Sequence, residues 1–168
     1  MTIEQVLLPT DLGQTTKDLV PHAIRFTSLL GAQLHVVHVV APIDHFSTVY
    51  LRGTSITKME SMLRRKAYSQ MTAFSRTWFG DIGGLKTAVL FGDVAQELLR
   101  YVATESISMI IMGSHAHAGL SRFMHGSVSD QVARRCRVPV MVINVSPDPL
   151  SPHREGPCSH PSQVLSPS

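Results

Sequence analysis

Short, almost wholly apolar runs recur along most of the chain, and segments with helical spacing separate them. The runs occupy residues 5–9, 33–40, 85–91, 107–112 and 139–145. A strand with one solvent-exposed face alternates apolar and polar residues, whereas a strand buried on both faces is apolar throughout. The continuous runs therefore predict strands of a parallel sheet that helices cover on both faces.

The intervening segments carry apolar residues at steps of three and four, which is the spacing of a helix with one buried face. They span about 18–30, 56–79, 95–104 and 126–137. The first helix is predicted to begin near Asp18, because Pro21 then falls in the first turn and removes only an unpaired N–H donor. Strands and helices in this alternation predict an α/β fold. We expect a doubly wound, five-stranded parallel sheet with the strand order 3-2-1-4-5.

Composition indicates one ordinary globular domain. The chain has 168 residues, of which 43% are hydrophobic and 16% are charged, and its formal charge is only +3. The densest basic cluster, Arg134, Arg135 and Arg137, lies at a predicted helix C-terminus, where cations complement the helix dipole. We therefore expect no nucleic-acid partner.

No apolar run reaches the roughly 20 residues of a membrane helix, so no membrane association is expected. No basic region precedes the first apolar run, so no signal peptide is predicted. The two cysteines, Cys136 and Cys158, have neither metal nor disulfide spacing. These features together favour a cytoplasmic protein.

The composition changes after residue 145. Residues 146–168 hold six of the ten prolines, many serines and almost no apolar side chains. Such a segment cannot bury enough surface to offset the entropy lost on ordering. We expect a folded domain over residues 1–145, followed by a Pro/Ser-rich disordered tail over 146–168.

The stretch between the fourth strand and the last helix resembles an anion site. Gly113 follows the strand, and Gly126 and Ser127 immediately precede the helix. Glycines let a ligand approach the backbone, and the free N–H groups of a helix's first turn attract negative charge. The predicted topology brings Asp11, after the first strand, to the same crevice. Since a carboxylate repels naked phosphates, we expect Asp11 to bind ribose or base donors, or to act through a divalent cation.

Several short motifs resemble the universal stress protein family. They are Pro-Thr-Asp after the first strand, His-Val-Val in the second, Gly-Asp-Val-Ala at 92–95, and the glycine loop. The family's nucleotide-binding members carry G-x2-G-x9-G-[ST]. Gly113, Gly126 and Ser127 match that spacing, whereas Ala116 replaces the second glycine.

The resemblance implies an adenine nucleotide alpha hydrolase-like fold that binds ATP, with or without magnesium, and acts as a stress-response module. It also implies a homodimer paired through an edge strand at Val140–Val145, an apolar edge without a protecting lysine. The nucleotide-binding residues that it implies are Pro9, Thr10, Asp11, Val39, Met112, Gly113, Ala116, Gly126, Ser127, Val128 and Ser129.

Other nucleotide-binding classes fit the residues less well. The P-loop motif GxxxxGK[ST] does not occur. A flavodoxin needs a hydroxyl where Leu12 stands, and a phospho-receiver domain needs a lysine after its last strand, whereas the last lysine here is Lys86. No Ser-His-Asp order or nucleophile elbow indicates a hydrolase triad.

The glycine loop contains His115, His117 and His125, but no cysteine or carboxylate accompanies them. A metal site is therefore not expected. The loop has no lysine, and Arg122 is its only fixed cation, so dedicated phosphoryl-transfer catalysis is not indicated. Two alternatives to a regulatory binding module remain open: a ligand-free dimeric adaptor with the same fold, and a slow ATP hydrolase.

Overall fold

A computed structural model of the chain describes residues 2–42, 56–80, 82–114 and 128–144. These residues form a five-stranded sheet in the order β3-β2-β1-β4-β5, with every neighbouring pair parallel. The predicted fold class and strand order are therefore confirmed. The elements are β1 (Gln5–Thr10), α1 (Gln14–Leu30), β2 (Gln33–Val40), α2 (Ile56–Phe79), β3 (Lys86–Phe91), α3 (Val94–Thr104), β4 (Met109–Ser114), α4 (Val128–Arg135) and β5 (Val140–Asn144).

The sheet separates two apolar layers, and β1 supplies both of them. Val6 and Leu8 belong to the layer that α1 and α2 cover, whereas Leu7 belongs to the layer that α3 and α4 cover. All three side chains are fully buried. This two-sided burial explains why the central strands are apolar at every position rather than at every second one.

The predicted start of α1 at Asp18 is wrong. The helix begins at Gln14 and contains Pro21 in its interior. Pro21 is exposed, so water can hydrate the carbonyl that the missing N–H leaves unpaired. The preference for proline in a first turn is thus outweighed by the burial of Thr16 and Leu19 against the sheet.

The fourth strand also differs from its predicted bounds. It runs through Gly113 to Ser114 instead of breaking at Gly113. The last strand ends at Asn144. Val145, the tail 146–168, the three loop histidines and the site candidates Ala116, Gly126 and Ser127 all lie outside the described residues. Among the helices that are described, none has the length and apolar character needed to cross a membrane.

A buried polar group joins α3 to β2. His35 on β2 has no exposed surface, and its Nδ1 lies 3.0 Å from the Tyr101 hydroxyl oxygen on α3. Its Nε2 is buried without a hydrogen-bond partner among the described residues. Lys86, which pairs with His35 in the β2–β3 register, lies 3.9 Å from the Glu105 carboxylate. Burial and the Lys86 charge lower the pKa of His35, against an opposing effect of Glu105.

This arrangement predicts a loss of stability in acid. Because the folded pKa of His35 lies below 6.5, the unfolded chain binds the proton more tightly. The free energy of unfolding should therefore fall as the pH drops from about 6.5 to the lowered pKa of His35 in the folded protein. The slope should be at most roughly 1.4 kcal/mol per pH unit. His35→Asn, which cannot titrate, should flatten this dependence in urea unfolding between about pH 7.5 and pH 5.

The exposed histidine of α1 provides a matched control. His22→Asn should retain the wild-type pH dependence, because it leaves His35 in place. If His35→Asn and wild type lose stability equally with falling pH, the buried histidine is not the group responsible.

Candidate functional site

A cavity of about 320 Å³ opens at the carboxyl ends of the central strands, where β1 and β4 lead to helices on opposite faces of the sheet. This is the switch point at which doubly wound sheets bind ligands. The volume lies within the range of about 300–1,000 Å³ that small-molecule sites occupy. Its apolar floor combines residues of β2, α3 and β4, namely Val37, Val39, Leu98 and Met112.

Most of the residues predicted for the site line this one cavity. They are Pro9, Thr10, Asp11, Val39, Met112, Gly113, Val128 and Ser129. The other three predicted residues, Ala116, Gly126 and Ser127, lie outside the described part of the chain. The structure thus brings together residues from β1, β2, β4 and α4 that are far apart in sequence.

The cavity also has lining residues that sequence reasoning missed, namely Thr15, Thr16, Leu19, Val37, His38, Val94 and Leu98. Thr15 and Thr16 were missed because the first helix was predicted to begin only at Asp18. Val94 belongs to the Gly-Asp-Val-Ala motif at 92–95, so that motif was an available signal. The alternation of side chains along β2 could have indicated Val37, since it faces the same side of the sheet as Val39.

The turn that follows β1 forms the polar rim of the cavity. The Leu12 N–H donates to the Thr10 hydroxyl oxygen at 2.8 Å, and the Gly13 N–H donates to Asp11 Oδ1 at 2.8 Å. The Thr16 hydroxyl, in the first turn of α1, donates to the same Asp11 oxygen at 2.9 Å. These bonds hold the Asp11 carboxylate against the start of α1.

The same turn contains backbone strain. Leu12 has a φ of 62°, in the left-handed region that non-glycine residues seldom adopt. Such a conformation costs on the order of 1–3 kcal/mol and persists only where surrounding contacts hold it. One such contact comes from β2, where His38 Nδ1 lies 2.8 Å from the Thr10 carbonyl oxygen.

Gly113 permits α1 to pack closely against β4. A Cβ atom at this position would lie 2.9 Å from both the Leu19 Cδ1 and the Thr15 Cγ2 methyl carbons. Leu19 is only 2% exposed, so its methyl group has little room to move. The resemblance assigned Gly113 to phosphate binding, and the structure adds a packing reason for a glycine here.

Three helices present their first turns to the cavity. Lining residues come from α1, from α3 through Val94, and from α4 through Val128 and Ser129. The first N–H groups of a helix have no partner within it, and the helix dipole favours negative charge there. On α3 the Asp93 carboxylate already accepts from the Gln96 N–H at 2.9 Å. The Asp11 carboxylate likewise lies at the start of α1, where it accepts from the Gly13 N–H at 2.8 Å. The first turn of α4 is therefore the best candidate for a ligand's anionic groups.

The charge of the described lining is simple. It contains one carboxylate, Asp11, and neither lysine nor arginine. Within the described ranges, no group of three or more histidine, cysteine, aspartate or glutamate residues is arranged to hold a metal ion. The described walls are thus apolar on one side and rich in hydrogen-bonding groups on the other.

Comparison with known sequences identifies the family. The sequence model of the universal stress protein family matches residues 2–144. The chain belongs to the universal stress protein family. The match spans every described strand and helix, including all the elements that line the cavity.

Individual relatives share only a minority of their residues with this chain. Universal stress protein MJ0577 of Methanocaldococcus jannaschii is 26% identical over 153 residues, covering 83% of this chain and 94% of that protein. The solved structure of MJ0577 superposes with a TM-score of 0.69 at 23% identity, over 88% of this chain and all of the other. A universal stress protein solved in complex with cAMP gives a TM-score of 0.63 at 15% identity, over 87% of this chain and all of the other. At these identities the superpositions establish the shared fold.

The close approach at Gly113 predicts the effect of adding one methyl group. Gly113→Ala should lower the free energy of unfolding by about 1–3 kcal/mol, because the new Cβ forces Leu19 or the α1 backbone outward. Urea unfolding measures this change. Gly83→Ala is the matched control: no atom lies within 4 Å of the added carbon, so stability should change by less than about 0.5 kcal/mol. Equal stabilities for the two variants would show that α1 relaxes without cost.

Proposed function

We propose that this universal stress protein binds an adenine nucleotide, with ATP as the first candidate, in the cavity at the switch point. The observation that carries the proposal is the convergence of the Pro9–Asp11 segment, the Met112–Gly113 strand end and the first turn of α4 around one cavity. A solved protein of the same fold is in complex with cAMP, which is itself an adenine nucleotide. That precedent supports the ligand class.

The residues fit the parts of such a ligand. The apolar surface of Val37, Val39 and Leu98 suits the faces of a planar base. The Asp11 carboxylate, fixed through Oδ1 at the rim, suits ribose hydroxyl donors or a magnesium ion that accompanies ATP. In this proposal the phosphates contact the first turn of α4, where the leading N–H groups of a helix favour negative charge, and the glycine loop that the family motif implies.

We propose a regulatory binding module in the cytoplasm rather than a dedicated catalyst. Phosphoryl transfer needs charge stabilisation at the transferred group and a positioned general base. The described lining supplies no lysine or arginine for the first role. Slow ATP hydrolysis and a ligand-free adaptor are the outcomes that the following experiment separates from this proposal.

Calorimetric titration of the full chain tests the nucleotide directly. ATP with magnesium should bind, with ATP alone, cAMP and GTP as comparisons. Gly126→Val should weaken ATP binding at least tenfold, about 1.4 kcal/mol, because a branched side chain blocks the approach of the phosphates. Ser127→Ala should cost less, since the backbone donors remain.

Each outcome has a defined meaning. Absence of heat with every nucleotide would support the ligand-free adaptor. Release of inorganic phosphate from ATP would support the slow hydrolase. If Gly126→Val binds ATP as wild type does and still unfolds cooperatively, the loop is not the phosphate site.

We also propose that two copies pair through β5. This strand lies at one edge of the sheet with β4 as its neighbour, and Val142 on it is 49% exposed. An exposed apolar edge strand pairs readily with another chain. Val142→Lys should therefore convert a dimer to a monomer in light scattering. Thr87→Lys on β3, the opposite edge, is the matched control and should leave the dimer intact. A dimer in both variants would place the interface elsewhere.

A further inference from the structure

The turn after β1 holds its shape through side chains rather than through regular secondary structure. The Thr10 hydroxyl and the Asp11 carboxylate accept hydrogen bonds from its backbone N–H groups, and the backbone of Leu12 adopts the left-handed conformation. The turn is also tight, since a Cβ on Gly13 would lie 2.9 Å from Asp11 Oδ2. A strained segment of this kind keeps one conformation only when its ends are fixed.

His38 supplies such a fixed point from a different strand. Thr10 is the last residue of β1, and the parallel register places His38 of β2 beside it. The His38 ring reaches the Thr10 carbonyl oxygen with Nδ1 at 2.8 Å. Both residues line the cavity. The bond therefore joins the last residue of β1, where the strained turn begins, to the neighbouring strand β2 at the edge of the cavity.

The chemistry of the bond assigns the proton. A carbonyl oxygen can only accept, so Nδ1 must carry the hydrogen and donate it. Nδ1 carries a hydrogen in one neutral tautomer of imidazole and also in the imidazolium ion. The bond thus selects one neutral tautomer and persists if the ring is protonated. A bond of this kind is suited to a structural role.

We propose that His38 is a positioning residue, which holds the Thr10–Gly13 turn so that Asp11 meets the ligand in one orientation. The effect of His38 on nucleotide affinity rests on the proposed function, whereas its effect on the turn does not. The residue acts through the Thr10 carbonyl, and Asp11 carries the contact with the ligand.

Two substitutions separate the donor from the rest of the ring. Asparagine places its amide Nδ2 where histidine has Nδ1, so His38→Asn retains a donor for the Thr10 carbonyl. Leucine fills similar space without a donor. His38→Leu should weaken ATP binding by roughly three- to tenfold, the equivalent of one hydrogen bond. His38→Asn should restore affinity to within about twofold of wild type.

Native-state hydrogen exchange gives a measurement that needs no ligand. The Leu12 and Gly13 amide protons should exchange faster in His38→Leu than in wild type, and at nearly the wild-type rate in His38→Asn. The Gln96 amide, which donates to Asp93 at the start of α3, is an internal control and should be unaffected. If His38→Leu does not fold, His38→Val offers a donor-free side chain that favours strands.

The outcomes distinguish this inference from the proposed function. Unchanged exchange at Leu12 and Gly13 in the donor-free variant overturns the positioning role. An equal loss of affinity in His38→Asn and His38→Leu, with exchange unchanged, would show that the ring contacts the nucleotide itself, which also overturns it. If wild type binds no nucleotide, the proposed function fails, and the exchange rates still decide whether His38 holds the turn.

Discussion

The packing of α1 against β4 is the contact on which the shape of the cavity depends. The helix leaves β1 after a turn of three residues and crosses β4 at Gly113, where a side chain would meet Thr15 and Leu19 at 2.9 Å. That close approach places the first turn of α1 against the end of β4, in the same turn where the Thr16 hydroxyl donates to Asp11. One absent Cβ therefore couples packing of the core to the polar edge of the site.

The sheet topology supplies the second constraint. Because the chain leaves the neighbouring strands β1 and β4 toward opposite faces of the sheet, the helices α1 and α4 diverge where these strands end. That divergence leaves a crevice whose floor is apolar, since it is the end of the core itself. On the face of the sheet that α3 and α4 cover, the bond between His35 and Tyr101 holds α3 to β2. Core residues such as Leu19, Val37 and Leu98 thus also line the cavity.

These constraints explain which features the sequence could predict. Continuous apolar runs predict a parallel sheet between helices, so the number of strands followed from the pattern. The order 3-2-1-4-5 rested in addition on the expectation of a doubly wound sheet. The start of α1 did not follow from the pattern, because a local preference about Pro21 competed with burial of Thr16 and Leu19, which depends on the assembled sheet. The same applies to His38, whose bond to the Thr10 carbonyl requires the β1–β2 register. The motifs predicted part of the cavity lining, and tertiary contacts determine the rest.

The geometry of Asp11 bears on whether the cavity binds or catalyses. A general base must have an oxygen directed at the proton that it removes. Asp11 Oδ1 already accepts from the Gly13 N–H and the Thr16 hydroxyl, so that oxygen is engaged in holding the turn. A carboxylate anchored in this way is well suited to orient a ligand by accepting further hydrogen bonds. The arrangement around Asp11 therefore supports the proposed role of this carboxylate in orienting a bound nucleotide.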